Sequence, residues 1–354
     1  MRSKIARLGL ILLAAAVGYG ILTQVSPATA TVVRDILTQP NTYSTGLRLA
    51  VPIVLAGLGG LLSEKSGLIN IGLEGLLIMG AFTGIFAVSL IGTEMLFAVV
   101  PVKWAAVLIA VLITSLFSLL FGVVCIKYDA DQIIAGLALW LIGLGLAPFI
   151  AVVYYGGPNS GGNVGTLGTW AVPLLSQLPF VGPILFVASP FVYIMFAMVL
   201  LVWILLYKTK YGRWIRASGE NPDALETAGI SVNRVRYGTT LLCGILSGLG
   251  GVSLSLGQVG LFIGSGETMV NGRGFIAIAA YLFGNYTPTG TLGAALFFGG
   301  LDGIQTQLQS LPAYDVTDQL VRSIPYIAVV LILIFVKKTR IPASAGENFR
   351  TDEE

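Results

Sequence analysis

The chain has 354 residues, of which 55% are hydrophobic and only 10% are charged, and its formal net charge at pH 7 is +3. Soluble domains carry about 25% charged residues, so the composition excludes both an ordinary soluble fold and a disordered chain, which would be polar. The sequence contains no histidine and only 2 cysteines, which excludes histidine-based catalysis, histidine metal sites and a four-cysteine zinc site. We therefore expect no catalytic site and no metal site on this chain.

Apolar stretches long enough to cross a bilayer recur along the chain, since a membrane-spanning helix needs about 20 mostly apolar residues. The strong candidates are residues 8–23, 47–62, 68–91, 104–126, 132–155, 184–207, 237–263 and 319–336. Two weaker candidates, 272–286 and 290–308, are interrupted by glycine and polar residues. The pattern predicts an all-α polytopic membrane protein with about ten transmembrane helices, of which the weak pair is short or broken.

The first candidate span follows a basic start. Arg2, Lys4 and Arg7 precede its apolar run, and an Ala-Thr-Ala sequence at 28–30 follows it, which is also the pattern of a cleaved signal peptide. We interpret the segment as a retained transmembrane span, because retention as an anchor is usual in polytopic proteins, and we keep cleavage as the alternative.

The positive charges indicate an orientation, because Lys and Arg concentrate in cytoplasmic loops. Basic residues cluster at the N-terminus, in the loop 208–236 and in the tail 337–354. Of the 20 Lys and Arg residues, the loop contains Lys208, Lys210, Arg213, Arg216, Arg234 and Arg236. About ten spans put all three clusters on one side, together with Lys65 and Lys127, so the sequence predicts that both termini are cytoplasmic.

Two glycine-rich segments suggest an internal repeat. Residues 56–60 (AGLGG) and 247–251 (SGLGG) are similar, and each is followed by a glycine segment with polar interruptions, at 67–80 and 264–274. In the predicted topology the two copies run in opposite directions, which is the pattern of an inverted repeat in transporters. The alternative is that these glycines only permit close helix packing.

Seven polar side chains lie at the predicted membrane depth: Asn70, Glu74, Gln258, Asn271, Arg273, Asp302 and Gln305. Such residues are costly in a span and usually face a cavity or a partner. Asn70 with Glu74, and Asp302 with Gln305, have the spacing that puts two residues on one helix face. We interpret the set as the polar lining of a translocation path. The alternative is an interhelical ion pair of Arg273 with Glu74 or Asp302 that only locks the bundle.

The loop 156–183 carries no charge, and its GGPNSGG start resembles a phosphate loop only superficially. It lacks the Gly-Lys-Ser/Thr ending of a Walker A motif, and no such motif occurs elsewhere in the chain. The sequence therefore predicts that this chain does not hydrolyse ATP through a P-loop.

The loop 208–236 contains a short helix with both ends marked in sequence. Asn221 is suited to the N-cap and Pro222 to the first helical position, acidic residues follow near the positive end of the helix dipole, and Gly229 suits the left-handed position after the last turn. The predicted element comprises Asn221, Pro222, Asp223, Ala224, Leu225, Glu226, Ala228 and Gly229. A capped helix held out from the bilayer, with Leu225 and Ala228 on it, is suited to docking on another protein.

Several of these stretches resemble one known family. They are residues 58–82 (LGGLLSEKSGLINIGLEGLLIMGAF), 216–222 (RASGENP), 272–280 (GRGFIAIAA) and 298–305 (FGGLDGIQ). As a set they resemble the permease subunits of bacterial ABC importers for nucleosides and simple sugars. The first stretch is most similar to one of the two non-identical permeases of the basic-membrane-protein-linked nucleoside importers, within the branched-chain and ribose permease superfamily. The resemblance covers roughly residues 45–336.

The resemblance implies a domain organisation and partners. Residues 1–44 would add a span before a permease domain at 45–336, which includes the loop 208–236, and a cytoplasmic tail would follow at 337–354. In a bacterial plasma membrane the chain would pair with a second homologous permease, with cytoplasmic ATP-binding subunits and with an extracytoplasmic substrate-binding lipoprotein. ATP and Mg would bind the ATPase, so no cofactor is expected on this chain, and no nucleic acid is implied. The helix 221–229 would be the coupling helix.

Three alternatives remain open. The same machine would serve for a simple sugar or a branched-chain amino acid instead of a nucleoside. A self-sufficient ion-coupled transporter would use Glu74, Asp302 and Arg273, although the large capped loop disfavours it. A membrane enzyme is least favoured, because no set of nucleophile and base is visible in the sequence.

Overall fold

The computed structural model describes residues 27–92, 95–96, 100–266, 268–309 and 340–349, and they are mostly helical. The helices are α1 (Pro27–Thr38), α2 (Pro40–Lys65), α3 (Leu73–Ile91), α4 (Val102–Ile126), α5 (Gln132–Tyr155), α6 (Pro190–Lys208), α7 (Lys210–Glu220), α8 (Pro222–Thr227), α9 (Val232–Leu254), α10 (Arg273–Phe283) and α11 (Pro288–Gln309). A π-helical turn, Ser255–Val259, extends α9. The predicted spans 8–23 and 319–336 lie outside the described residues.

The strands are two residues long and form two antiparallel pairs. β1 (Met95–Leu96) pairs with β2 (Val100–Pro101), with Met95 opposite Pro101. β3 (Trp170–Ala171) pairs with β4 (Val187–Ala188), with Trp170 opposite Ala188. The first pair lies in the connection between α3 and α4, and the second in the connection between α5 and α6. The second connection also contains a 3₁₀ turn (Leu175–Gln177) and a π turn (Gly182–Phe186). The fold is therefore a helical bundle.

Among the described residues, 6 helices are long and apolar enough to cross a membrane: α2 to α6, and α9 with its π turn. α10 has only 11 residues and begins inside the bundle, so it is half a span. α11 is one continuous helix of 22 residues, which is long enough to span a membrane, although its glycine and polar residues make it less apolar than the six. The prediction that the weak pair is short or broken is thus confirmed for α10 and wrong for α11, and the number of ten spans is not confirmed.

Burial separates the central helices from the peripheral ones. The most apolar windows of α2, α3 and α9 are 83%, 78% and 72% buried, compared with 39%, 22% and 39% for α4, α5 and α6. The exposed side chains on the peripheral helices are largely apolar, for example Leu112, Leu116 and Val153. A soluble protein does not present such faces to water, so we assign them to lipid.

Glycines allow the central helices to approach closely. α2 crosses α9 where Gly59 lies against Cys243, and α3 crosses α9 where Gly80 lies against Gly248. α2 contacts α11 where Gly46 lies against the backbone of Gly299. Because membrane helices associate mainly by van der Waals packing, these small residues provide much of the contact.

Two ends of the bundle can be distinguished. We call one the basic end, and it contains residues 64–70, 127–132, 208–231, 284–287 and 340–349. The other, which we call the loop end, contains residues 156–189 and 260–266. There the Ser160 N–H donates to the Phe262 carbonyl at 3.0 Å, and the Val164 N–H donates to the Gly260 carbonyl at 2.8 Å. The uncharged loop is thereby joined to the segment that follows α9.

The chain forms two helix–break–helix units of opposite direction. The first is α2, the break 66–72 and α3, and the second is α9, the break 260–272 and α10. α2 ends at the basic end, whereas α9 starts there. α4 packs along α9 as α11 packs along α2, and α3 packs on α9 as α10 packs on α2. This arrangement agrees with the inverted repeat that the glycine segments predict.

Residues 340–349 cross the basic end as a segment with turns at 343–346, which we call the C-terminal strap. The Ser344 N–H donates to the Gly219 carbonyl at 2.8 Å, and the Gly346 N–H donates to the Gly67 carbonyl at 3.0 Å. Part of the predicted tail therefore packs against α7 and the break after α2.

Replacing Gly80 by Leu tests the close packing of α3 on α9. A Cβ at Gly80 would lie 2.9 Å from the Gly248 carbonyl oxygen, so the helices have to separate. Overpacking of this kind costs about 1–3 kcal/mol, and we expect a lower Tm for the purified Gly80→Leu protein. Gly293→Leu is the matched control, because nothing lies within 4 Å of a Cβ there. Equal losses of Tm in the two variants would contradict the close packing.

Candidate functional site

The Glu74 carboxylate joins the starts of two helices inside the bundle. Glu74 is the second residue of α3 and is only 4% exposed. Its Oε1 accepts the Gly272 N–H at 2.8 Å, and its Oε2 accepts the Gly274 N–H at 2.6 Å. Both donors belong to the N-terminus of α10, where the helix dipole and free N–H groups favour an anion. We call this contact the Glu74 clamp.

The break before α3 brings Glu74 to this depth. The Asn70 Oδ1 accepts the Gly72 N–H at 2.9 Å, which closes a tight turn immediately before the helix. The Gln132 side chain of α5 accepts the Ile69 N–H at 2.7 Å and so satisfies another backbone donor of the break. α3 therefore starts at Leu73, five residues later than the apolar run at 68 predicts, and Glu74 lies in its first turn.

The break before α10 supplies the donors. Asn271 and Gly272 both have left-handed backbone, with φ of 48° and 77°. Two such residues in succession turn the backbone N–H groups towards one point, and they form a small anion-binding concavity. A Cβ at Gly274 would meet the Glu74 backbone and carboxylate, so the approach requires glycine at this position.

Arg273 makes the second charged contact of this region. Its Nη2 lies 3.3 Å from the Asp302 Oδ2 of α11, and the two side chains are only 13% and 12% exposed. Its Nη1 also donates to the Val270 carbonyl at 3.1 Å. Arg273 thus ties α10 to α11. The ion-pair alternative is present for Asp302, whereas Glu74 binds backbone amides.

The structure brings together most of the predicted polar residues, but not all of them. Glu74, Asn271, Arg273 and Asp302 surround the first turn of α10. Asn70 lies in the break before α3, where its side chain contacts the Cys243 Sγ of α9. Gln305 lies one turn further along α11 and is partly exposed. Gln258 is elsewhere, where its Nε2 donates to the Arg48 carbonyl at 3.2 Å.

One side of this region is open. Asn271 and Phe275 are exposed there, and Phe275 packs edge-on against Trp140 with ring centroids 5.2 Å apart. Asn70 and Glu74, in contrast, are 1% and 4% exposed. An amide and an aromatic ring are therefore exposed on this side, while the clamp beneath holds the backbone in place.

Sequence reasoning missed a second buried carboxylate. Glu64, near the end of α2, is 6% exposed, and its Oε1 accepts the Tyr286 hydroxyl at 2.8 Å. Tyr286 follows α10 and is 1% exposed. The signal in the sequence was an acidic residue close to the apolar end of a span, but its position beside Lys65 is also typical of an interfacial charge.

The capped helix of the long loop is present as α8. The Asn221 Oδ1 accepts the Ala224 N–H at 3.0 Å, and Gly229 has a φ of 79°. Both end signals are thereby confirmed. The exposed residues of the element are Asn221, Asp223, Ala224, Thr227, Ala228 and Gly229.

The prediction that Leu225 lies on a docking face is wrong. Leu225 is 5% exposed, so its side chain packs against the rest of the chain. Glu226 is also engaged, because its Oε2 accepts the Val232 N–H at 2.7 Å and so satisfies a donor at the start of α9. The accessible surface of this element includes Ala224 and also Ala228, the residue that directly follows α8.

Sequence reasoning also missed α7, which precedes α8. The Thr209 hydroxyl caps it by accepting the Gly212 N–H at 3.2 Å, and Ile215, Ser218 and Gly219 form its buried side. The threonine cap and the spacing of Ile215 and Ser218 were the available signals, and the many basic residues obscured them.

α7 connects α8 to the break after α2. The Ser218 hydroxyl donates to the Ser66 carbonyl at 2.7 Å. Arg236 of α9 donates from Nε to the same carbonyl at 3.2 Å and from Nη1 to the Glu347 carbonyl of the C-terminal strap at 3.0 Å. A continuous set of contacts therefore runs from α8 through α7 to residue 66, four residues before the turn at Asn70.

Residues 42–336 match the family described as branched-chain amino acid transport system / permease component. The chain belongs to this family. The permease is 35% identical over 300 residues to the guanosine ABC transporter permease protein NupQ of Bacillus subtilis, which covers 84% of this chain and 92% of the relative. It is 32% identical over 303 residues to the nucleoside ABC transporter permease protein NupC of Lactococcus lactis, which covers 85% and 93%.

A third relative carries a different name. The putative glucose ABC transporter permease protein TsgC13 of Haloferax volcanii is 31% identical over 269 residues, which covers 75% of this chain and 77% of the relative. The comparison with solved structures finds no match. The permease is thus a polytopic membrane protein whose named relatives are transport components.

Replacing Glu74 by Gln tests the clamp in the permease. The amide would direct its NH₂ group at one of two backbone donors, which leaves that donor unpaired and costs about 1–3 kcal/mol. We expect a lower Tm for the purified Glu74→Gln protein. Glu220→Gln is the control, because Glu220 is exposed. An unchanged Tm in Glu74→Gln would show that the clamp contributes nothing to stability.

Proposed function

We propose that this chain is the membrane-spanning permease subunit of an ATP-driven ABC importer for nucleosides. The observation that carries the proposal is α8, a capped helix with an exposed face at the basic end of a bundle whose relatives are ABC transporter permeases. Because the sequence has no Walker A motif, the ATPase would be a separate subunit that carries ATP and Mg. The permease itself would not be an enzyme.

The proposed orientation puts the basic end in the cytoplasm of a bacterial cell. Lys and Arg mark cytoplasmic loops, and the loop 208–236 with its six basic residues belongs to this end. Both termini would then be cytoplasmic. Residues 1–44 would add one span before the permease domain at 45–336, and 337–354 would form the cytoplasmic tail. The loop end would face an extracytoplasmic substrate-binding lipoprotein.

α8 would transmit the movement of the ATPase. Its accessible face, with Ala224 and Ala228, would sit in a groove of the ATP-binding subunit, while Leu225 and Glu226 anchor it to the bundle. The contact of Ser218 with Ser66 would carry the displacement to the break after α2. From there it would reach the Glu74 clamp and the start of α10.

The substrate path would run along the exposed side of the first turn of α10. Asn271 would offer hydrogen bonds, and Phe275 beside Trp140 would offer a face for a planar base. Arg273, Asp302 and Gln305 would line the wall from α10 and α11. A second homologous permease would complete the path. Asn70, Glu74 and Gln258 would support the wall through the backbone contacts described above.

A simple sugar is the second candidate substrate, because the Haloferax relative at 31% identity is named for glucose. The two candidates differ in uptake competition. Excess unlabelled ribose, glucose or leucine should leave labelled guanosine uptake unchanged if the nucleoside assignment holds, and inhibition by one of them would favour that solute.

Uptake and co-purification test the proposal directly. Cells that carry the full system should take up labelled guanosine, and both ATP depletion and deletion of this gene should abolish uptake. The permease purified from these cells should bring with it a second permease and an ATP-binding subunit. Gradient-driven transport by this chain reconstituted alone would instead support an ion-coupled transporter and reject the ABC assignment.

Charges placed on α8 test its coupling role. The double variant Ala224→Asp/Ala228→Asp alters two exposed positions, so the permease should keep its Tm. Co-purification of the ATPase and guanosine uptake should each fall at least tenfold, because a buried unpaired charge at an interface costs several kcal/mol. Ala171→Asp, an exposed position at the loop end, is the matched control and should retain the ATPase. Full uptake by the double variant would contradict the coupling role.

A further inference from the structure

An open groove lies on the outside of the bundle at the basic end, separate from both the Glu74 clamp and the accessible face of α8. It has a volume of about 490 Å³ and is bounded by α6, α7, the α8–α9 turn and α9. Binding sites for small molecules have volumes of about 300–1,000 Å³, so the groove is large enough for part of a ligand. Its central residues are Leu205, Trp214, Ile215, Arg234, Gly238 and Leu242.

The groove changes character along its length. Leu242, Gly238 and Arg234 are successive positions on one side of α9, so the eight residue steps between Arg234 and Leu242 extend over about 12 Å. Leu205 and Ile215 line the groove with Leu242, whereas Ser231 and the exposed Arg234 line it towards the basic end. The groove is therefore apolar towards the membrane interior and cationic at the membrane surface.

Basic groups stack on aromatic rings beside the groove. Lys210 Nζ lies 5.4 Å from the ring centroid of Tyr211 and 5.7 Å from that of Trp214. At the end of α6, Lys208 Nζ lies 5.5 Å from the ring centroid of Trp203. Aromatic and basic side chains together mark the headgroup level of a bilayer. The polar end of the groove thus lies where lipid phosphates lie.

Nothing in the described chain fills the groove at its centre. A Cβ built on Gly238 has no heavy atom within 4 Å, whereas Gly244, Gly248 and Gly251 of the same helix are all in close contact with neighbours. Gly238 therefore does not serve helix packing. It leaves a depression in the surface of α9 at the depth of Ile215.

We propose that this groove binds one anionic phospholipid. An acyl chain lies against Leu205, Ile215 and Leu242, and the headgroup phosphate is held by Arg234 and Lys210. A guanidinium pairs with phosphate through two parallel hydrogen bonds, and basic pockets between helices on the cytoplasmic side are suited to anionic lipid headgroups. Free phosphate does not satisfy the site, because most of its wall is apolar.

The position of the groove gives the lipid a structural consequence. Gly229, Ile230 and Ser231, which connect α8 to α9, form part of its wall. A lipid in the groove therefore packs under the turn that positions α8. Bound lipid should stabilise this corner of the bundle even in the permease without partners.

Lipid titration of the full chain purified in detergent tests the inference. We expect phosphatidylglycerol to raise the Tm more than phosphatidylcholine does, and native mass spectrometry to detect one retained phosphatidylglycerol. Arg234→Gln should weaken phosphatidylglycerol binding about fivefold, because one basic residue near the headgroup contributes about that factor. Arg213→Gln, at a basic position of α7 that does not line the groove, should bind like the wild type.

A filled groove provides the second arm of the test. Gly238→Leu adds a side chain where there is open space and removes a helix glycine, so the protein should fold at least as well as the wild type. The variant should no longer retain phosphatidylglycerol in native mass spectrometry, and phosphatidylglycerol should no longer raise its Tm more than phosphatidylcholine does. Gly145→Leu, an equally open glycine on α5, should keep both. Equal responses to the two lipids, or a full lipid response in Gly238→Leu, would overturn the proposal, as would a loss of response in both glycine variants.

Discussion

The two hydrogen bonds of the Glu74 carboxylate are the interaction on which the rest of the bundle depends. A break in a helix at membrane depth exposes backbone donors where no water can satisfy them, and each unsatisfied group costs several kcal/mol. The inner parts of the two breaks, which end at Gly72 and Gly272, both create this problem. At the second break, the Glu74 carboxylate accepts both backbone N–H groups. At the first break, the side chains of Gln132 and Asn70 accept backbone N–H groups.

The two inverted units are interlocked through α10. This short helix belongs to the second unit, yet both of its ends are held by carboxylates of the first: Glu74 binds its N-terminus, and Glu64 binds Tyr286 just after its C-terminus. The ion pair between Arg273 and Asp302 also connects α10 to α11. The polar groups inside the bundle thus add directional contacts between helices that otherwise meet through apolar side chains and glycines, whose van der Waals packing is non-directional.

Hydropathy and end signals predicted much of the fold, and tertiary contacts decided the rest. The apolar stretch from residue 68 predicts one span that starts there, but Asn70 and Gln132 bind its backbone, and α3 starts only at Leu73. The caps of α8 are local and were predicted, whereas the side on which Leu225 lies depends on what packs beneath it. The partner of Arg273 likewise depends on tertiary packing: the sequence offered Glu74 and Asp302, and in the structure Arg273 pairs with Asp302.

The network at the basic end is directional because it is polar. Ser218, Ser66, Arg236 and the C-terminal strap meet through hydrogen bonds with defined geometry, so a displacement of α7 cannot be absorbed by sliding, as it can between apolar faces. The break after α2 is held in the same way, since the Gly67 N–H donates to the Glu64 carbonyl and the Gly67 carbonyl accepts the Gly346 N–H, both at 3.0 Å. Ser66 is thus the point at which α7 contacts this break, and the clamp at Glu74 is the next fixed point along the chain.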